Sequence, residues 1–116
     1  MPDNLPLAMA DPGLLERVVA NVVANALRAS PSNVRVVGRH HDPYLELQII
    51  DHGPGVAAAE RDRMFAPFQR LDDHGAGLGL GLAIAKGFTE AMDGVIRAGD
   101  TPGGGLTMTV TLPVAS

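Results

Sequence analysis

Two asparagines and an arginine, Asn21, Asn25 and Arg28, follow one another at intervals of four and three residues. On a helix this spacing places them along one face. The amide oxygen of Asn25 is a hard, neutral ligand of the kind that Mg²⁺ accepts beside water and phosphate oxygens, and Arg28 could pair with the phosphates. Asparagines at this spacing can also simply hydrogen-bond at a helix interface. The pattern alone leaves both interpretations open.

A glycine-rich run, GAGLGLGLA at 75–83, comes directly before a segment with helical spacing. The free N–H groups and the positive dipole end of a helix N-terminus attract anions, and glycines allow an anion to approach the backbone. The run lacks the Gly-Lys-Ser/Thr ending of a P-loop, and a loop rather than a strand precedes it. It therefore predicts either a phosphate cradle or a plain flexible loop.

Asp51 ends a segment in which apolar residues alternate with Glu46 and Gln48, and it falls in phase with the apolar set. We therefore expect its carboxylate to point towards the core, where it needs a hydrogen-bond donor. The chain then turns through Gly53 and Gly55. A carboxylate at the bottom of such a pocket can accept from the exocyclic amino group of adenine, with Gly55 behind the ring. The alternative is a turn in which Asp51 binds its own backbone.

The elements that must position these groups follow from periodicity and capping signals. Asp11 and Pro12 predict a helix start, and an apolar stripe continues to Ala29. We predict the remaining elements in this order: an edge strand at 5–9, a hairpin of 34–40 and 44–51, a short helix within 56–65, a mobile loop at 66–78, a helix from Gly81 to Asp93 and Gly94, and a closing hairpin of 94–100 and 106–113.

Composition limits the class of protein. A chain of 116 residues, of which 46% are hydrophobic, fits a single domain spanning residues 1–116. The net charge of −4 disfavours nucleic-acid binding, and the absence of cysteine excludes disulfides and thiolate metal sites. No segment has the length of a membrane span, and the N-terminus does not resemble a secretory signal. We expect a cytoplasmic domain.

Four segments together resemble the sensor histidine kinases. NVVANALRAS at 21–30 looks like their N box, DHGPG at 51–55 like their G1 box, MFAPFQR at 64–70 like their F box, and GLGLGLAIA at 77–85 like their G2 box. Segments 11–31 and 91–113 are similar to the potassium-sensing KdpD-type kinases of actinobacteria. The resemblance implies the GHKL ATP-binding fold, an α/β (α+β) two-layer sandwich with a mixed sheet of about five strands and three helices on one face.

The resemblance also implies roles for individual residues. Asn25 would bind Mg²⁺ beside ATP, Asn21 and Arg28 would face the phosphates, and these three would form the catalytic set. The sequence departs from the family pattern at Ala29, where many members carry an aromatic residue, and at His52. The implied nucleotide contacts are Asn21, Asn25, Arg28, Asp51, Gly53, Gly55, Arg70, Gly77, Leu78, Gly79, Leu80 and Gly81, with Phe65 and Phe68 anchoring a lid.

The residue type at position 21 affects whether water or another nucleophile accepts the phosphoryl group. In related ATPases of this fold, such as heat-shock chaperones and type II topoisomerases, a glutamate at this place activates water. Asn21 cannot act as that base, so we expect slow hydrolysis and phosphoryl transfer to a histidine on a separate dimerisation domain. The histidines of this chain do not occur in the acceptor-type sequence of the family: they are His40, His41, His52 and His74.

The resemblance further implies partners. The phosphoacceptor histidine domain of a parent kinase is the direct partner and a response regulator the indirect one. We expect no nucleic acid, no membrane contact by this domain and a monomer in isolation, although the parent would be membrane-anchored. Two alternatives stay open: a stand-alone anti-sigma-type serine kinase of the same fold, and a degenerate nucleotide-binding regulatory module.

Overall fold

The computed structural model describes residues 12–41, 43–61, 63–66 and 81–113. Within these ranges the strands form one antiparallel sheet in the order β1-β2-β4-β3. Both predicted hairpins and both long helices are confirmed. The elements are α1 (Pro12–Ala29), β1 (Val34–His41), β2 (Tyr44–Asp51), short 3-10 turns at Ala58–Glu60 and Arg63–Phe65, α2 (Gly81–Ala91), β3 (Val95–Asp100) and β4 (Leu106–Pro113).

Helix α1 buries the stripe that its sequence predicts. Val18 and Val22 are fully buried and Ala26 nearly so, all facing the sheet and α2. The helix ends where Ser30 donates its N–H to the Ala26 carbonyl at 2.8 Å. The buried Ser30 hydroxyl then donates to the carbonyl of Asn33 at 3.1 Å and shapes the turn into β1. Both bonds of Ser30 therefore fix the connection between α1 and β1.

The core lies between the two helices and one face of the sheet. Burial alternates strictly along β2 and β4, and the register pairs buried Leu47 with Val110 and Ile49 with Met108. This alternation is the period of a strand with one covered face. Asp51 belongs to the covered set and is 2% exposed. The inward orientation predicted for its carboxylate is confirmed.

The end of α2 is fixed by a backbone motif. Asp93 has a φ of 61°, in the left-handed region. The N–H of Gly94 donates to the Thr89 carbonyl at 2.9 Å, and that of Asp93 donates to Glu90 at 3.0 Å. These two bonds define a Schellman motif, which satisfies carbonyls that the helix end leaves open. The predicted helix end at Asp93 and Gly94 is confirmed.

The segment 56–65 is helical in two short pieces instead of one continuous helix. It contains the 3-10 turns Ala58–Glu60 and Arg63–Phe65, and of the residues in these two turns only Met64 is buried. One buried side chain cannot supply the apolar stripe that a longer helix needs. The predicted strand at 5–9 and the loop from residue 67 to 78 lie outside the described residues. None of the helices in the described ranges has the length and apolarity to cross a membrane.

Candidate nucleotide site

The Asp51 carboxylate lies at the end of β2 and is held by two backbone donors. Its Oδ1 accepts from the N–H of Gly53 at 3.0 Å and from the N–H of Leu106 at 3.1 Å. The first bond is the local turn that one interpretation of DHGPG predicted, and the second crosses to β4. Both interpretations of Asp51 are therefore compatible with the structure. Two donors on one oxygen fix the direction of the carboxylate.

The loop after Asp51, residues 52–57, is called the Asp51 loop and lies between α1 and the β3–β4 turn. A Cβ added at Gly53 would lie 2.6 Å from the carbonyl oxygen of Ala29, the last residue of α1. On the other side, Gly55 has a φ of +75° and faces the Gly105 carbonyl, 3.2 Å from where its Cβ would be. Close backbone contacts on both sides explain the glycines. They also bring the end of the asparagine-bearing helix against the Asp51 loop.

The predicted polar face of α1 precedes this junction along the helix. Asn21 and Asn25 are half-buried and Arg28 is exposed. The Arg28 Nη2 donates to Asn25 Oδ1 at 3.2 Å, within the same helix. An amide oxygen has two lone pairs, so this bond leaves one for a cation. Asn25 thus fits a site in which Mg²⁺ takes one neutral oxygen from the protein and its other ligands from phosphates and water.

The described residues contain only one member of the predicted phosphate cradle. Gly81 is the first residue of α2, and a Cβ added there would meet nothing within 4 Å. Helix α2 packs along α1. At the base of the predicted lid, the Lys86 amine lies 5.8 Å from the centroid of the Phe65 ring. The predicted contacts outside the described residues are Arg70, Gly77, Leu78, Gly79 and Leu80, together with Phe68 of the lid.

Sequence reasoning missed the contribution of the β3–β4 turn. An open cavity of about 420 Å³ lies beside the Asp51 loop and is lined by residues 54–57, 100, 101, 104 and 105. At its border, Arg61 donates to the Val56 carbonyl at 3.3 Å and forms an ion pair with Asp100. The three glycines in TPGGG predict a turn. They do not predict that Gly105 of this turn contacts Gly55, because the two residues are distant in sequence.

The other polar residues of the described ranges do not form a metal site. Within the described ranges no three histidine, aspartate or glutamate side chains are grouped so that they could hold an ion. His40, His41 and His52 are exposed. His74 lies outside the described residues. Among the described residues, the candidate site therefore consists of Asp51 and the polar residues towards the end of α1.

Comparison with known proteins decides the family. The family described as histidine kinase-, DNA gyrase B- and HSP90-like ATPases matches residues 10–116. The chain belongs to this ATPase family. Sensor protein KdpD of Rathayibacter rathayi is 56% identical over 111 residues, which are 93% of this chain and 13% of that protein. Sensor protein KdpD of Mycobacterium tuberculosis is 53% identical over 110 residues, 91% of this chain and again 13% of the relative.

Solved structures agree with the ATPase fold. Full-length ShkA in complex with AMPPNP superposes with a TM-score of 0.85 at 32% identity, covering 97% of this chain and 24% of ShkA. The mycobacterial sensor histidine kinase MprB gives a TM-score of 0.84 at 34% identity, covering 92% of this chain and 76% of MprB. The chain is thus a histidine-kinase-type ATPase domain, and it spans about an eighth of the length of its KdpD relatives.

Proposed function

We propose that this chain is the catalytic domain of a two-component sensor histidine kinase. It binds Mg-ATP and transfers the γ-phosphoryl group to a histidine on a separate dimerisation domain, which then phosphorylates a response regulator. The observation that carries the proposal is the buried Asp51 carboxylate, held by two backbone N–H groups beneath a glycine loop. The sensor-kinase relatives and the AMPPNP complex of ShkA support it.

Base recognition rests on the orientation of Asp51. Because both backbone donors bind Oδ1, the carboxylate is fixed with Oδ2 as the acceptor for the amino group of adenine. Guanine carries a carbonyl oxygen at that position, which a carboxylate repels. Gly53 and Gly55 allow the loop after Asp51 to lie against Ala29 and Gly105, and in this proposal the loop backbone lies beside the ring. The pocket therefore selects adenine over guanine.

Phosphate and metal binding rest on the polar face of α1. Asn25 would contribute its amide oxygen to Mg²⁺, which neutralises phosphate charge when it is bound. Arg28 exchanges its bond with Asn25 for phosphate oxygens, and Asn21 binds the phosphates one turn earlier. Arg70, Gly77, Leu78, Gly79, Leu80 and Gly81 complete the cradle in this proposal. Positioning and charge neutralisation then account for most of the acceleration.

The acceptor is a nitrogen of an imidazole and not water. Asn21 is an amide, so the proposed catalytic set on α1 has no carboxylate that could deprotonate a water molecule. In the transfer step the bond from the γ-phosphorus to the bridging oxygen of ADP breaks as the bond to the histidine nitrogen forms. The domain works as a monomer that docks on its partner domain, on the cytoplasmic side of a membrane-anchored parent kinase.

A transfer assay tests this function directly. The chain is mixed with γ-labelled ATP, Mg²⁺ and a dimerisation domain carrying an acceptor histidine, supplied as a separate polypeptide from a sensor histidine kinase. We expect acid-labile, base-stable label on that domain. Asn25→Ala should abolish the magnesium-dependent transfer, whereas Asn33→Ala, in the exposed turn after α1, should leave it unchanged.

Two results of this assay would contradict the proposal. Label that survives acid treatment on a serine would instead assign the chain to the serine kinases of the same fold. Unchanged transfer by Asn25→Ala would remove the metal role from Asn25. The identity above 50% to two sensor kinases favours the histidine outcome over the serine one.

A further inference from the structure

Thr101, the first residue after β3, is buried and bonds to the backbone of the proposed adenine-binding residue. It is 5% exposed, and its Oγ1 donates to the main-chain carbonyl of Asp51 at 3.0 Å. The same oxygen lies 2.9 Å from Oγ1 of Thr107. Because a hydroxyl has one proton to donate and Thr101 gives it to Asp51, Thr107 must be the donor in the second bond. Two hydroxyls thus form a chain that ends on the Asp51 carbonyl.

The bond from Thr101 to the Asp51 carbonyl lies where the hydrogen-bond ladder between β2 and β4 ends. The last regular pair is Ile50 with Thr107, so the next position brings Leu106 opposite Asp51. A continuing ladder would join the backbone groups of these two residues. Instead the Leu106 N–H donates to the Asp51 side chain, and the Asp51 carbonyl accepts from Thr101. The Asp51 carboxylate and the Thr101 hydroxyl thus take the places of the backbone partners that Leu106 and Asp51 would have in a continuing ladder.

The turn itself holds Thr101 in place. The Thr101 N–H donates to the Gly105 carbonyl at 3.1 Å, and its own carbonyl accepts from Gly104 at 2.9 Å. Gly105 has a φ of +120°, and a Cβ there would lie 2.1 Å from the Asp51 carbonyl oxygen. The turn therefore lies directly against the end of β2 at Gly105, where there is no space for a side chain. The position of Thr101 is thus set by the hydrogen bonds of the turn.

We propose that Thr101 is a positioning residue that sets the base selectivity of the nucleotide site. By occupying the Asp51 carbonyl, its hydroxyl leaves the Leu106 N–H to the carboxylate, and this fixes Oδ1. Without the hydroxyl, the Asp51 carbonyl has lost its donor and competes for the same N–H, since an unpaired buried carbonyl is costly. The carboxylate then reorients and its second oxygen no longer meets the adenine amino group. This inference rests on the proposed function.

The test compares Thr101→Val with Thr101→Ser in the full chain. Valine keeps the shape and removes the hydroxyl, whereas serine keeps the hydroxyl. The ratio of affinities for non-hydrolysable ATP and GTP analogues is measured by calorimetric titration. Loss of one hydrogen bond predicts that the ratio falls by about tenfold in Thr101→Val. In Thr101→Ser the ratio should stay within about twofold of the wild type.

A matched control separates this role from general stability. Thr89 is also fully buried, and its hydroxyl also donates to a carbonyl, that of Ala85 at 2.7 Å within α2. Thr89→Val should therefore destabilise the fold and leave the base ratio unchanged. An equal drop in both valine variants would assign the effect to stability and contradict the proposal. If Thr101→Val does not fold, Thr101→Cys, whose thiol is a weak donor, should lower the ratio by about threefold.

Failure of this inference can be distinguished from failure of the proposed function. If Asp51→Asn loses adenine selectivity while Thr101→Val, or Thr101→Cys in its place, keeps it, Thr101 has no positioning role and the function still holds. If the folded wild type binds both analogues equally, adenine recognition by Asp51 is wrong and the present inference fails with it.

Discussion

Gly53→Ala tests the contact that joins the two halves of the candidate site. Gly53 is where the Asp51 loop meets the end of α1, and an added Cβ would lie 2.6 Å from the Ala29 carbonyl oxygen and 2.9 Å from its Cβ. Real Cβ atoms do not come this close to a carbonyl oxygen, so either the loop or the helix end has to move. The obstacle is backbone, which cannot rotate away as a flexible side chain can.

The expected cost combines two opposing effects. Forcing atoms into a well-packed contact costs about 1–3 kcal/mol. Replacing glycine by alanine also removes freedom from the unfolded chain, which returns about 0.4–1 kcal/mol. We therefore expect Gly53→Ala to lower the free energy of unfolding by about 1–2 kcal/mol. Because the displaced loop carries the Gly53 N–H that binds the Asp51 carboxylate, the affinity for an ATP analogue should also fall by about tenfold.

Gly87→Ala is the matched control, because the same substitution there is expected to raise the free energy of unfolding instead of lowering it. Gly87 is exposed in the interior of α2, and an added Cβ would meet nothing within 4 Å. Alanine there should raise the free energy of unfolding by about 0.5–1 kcal/mol and leave nucleotide affinity unchanged. Urea denaturation of both variants and the wild type measures the free energies. If Gly53→Ala is as stable as Gly87→Ala and binds nucleotide normally, α1 and the Asp51 loop do not touch as described.

We expect three further substitutions to change the free energy of unfolding, and urea denaturation measures each change. Asp93→Gly should stabilise the protein by about 1 kcal/mol, because glycine removes the cost of the left-handed conformation at the end of α2; a loss of stability would contradict this. Thr111→Val should stabilise by about 1 kcal/mol, since the buried Thr111 hydroxyl has no hydrogen-bond partner within the described ranges; a cost above 1 kcal/mol would reveal a missed partner. Leu47→Ala should destabilise by about 2–5 kcal/mol because Leu47 is fully buried in the sheet; a cost below about 1 kcal/mol would place Leu47 outside the core.

Periodicity predicts most of the fold because each element carries its own signal. Alternation along β2 and β4 identifies which residues are buried, and it predicts that Asp51 points inward, as it does. The stripe on α1 likewise predicts the buried valines. These signals are local, and the sheet register follows once the buried faces are known. The short helical turns at 58–60 and 63–65 are harder to predict because only Met64 among their residues is buried, which is too little to impose a period.

The candidate site is only partly predictable, for a physical reason. The residue types at Asn25, Arg28 and Asp51 indicate chemistry by themselves. The contacts that position Asp51 and its loop are made largely by backbone N–H and carbonyl groups. Every residue type carries these groups, so the sequence does not show where they bind. Nothing in the residue types shows that the Leu106 N–H bonds to Asp51, or that Gly53 lies against Ala29. Thr101 is one of several threonines in the chain, and only the structure reveals its bond to the Asp51 carbonyl.

The Asp51 loop therefore depends on two distant parts of the chain. Its first glycine lies against α1 and its second against the β3–β4 turn, while Arg61 joins Val56 to Asp100 at the far side. A site supported from several elements keeps its geometry only when the whole fold is intact. Substitutions in the β3–β4 turn should consequently alter nucleotide binding although no turn residue belongs to the predicted nucleotide contacts.

The central claim is that Asp51 recognises adenine in a Mg-ATP site, and calorimetric titration with a non-hydrolysable ATP analogue tests it most directly. The titration is run with and without Mg²⁺ on the wild type, on Asp51→Asn and on Asp93→Asn as a control at an exposed carboxylate. Asparagine can keep the two backbone bonds to Oδ1 but presents an amide donor where Oδ2 was. We predict magnesium-enhanced, adenine-selective binding by the wild type and by Asp93→Asn, and loss of that selectivity in Asp51→Asn. Wild-type binding and selectivity in Asp51→Asn, or no binding by the folded wild type, would contradict the account.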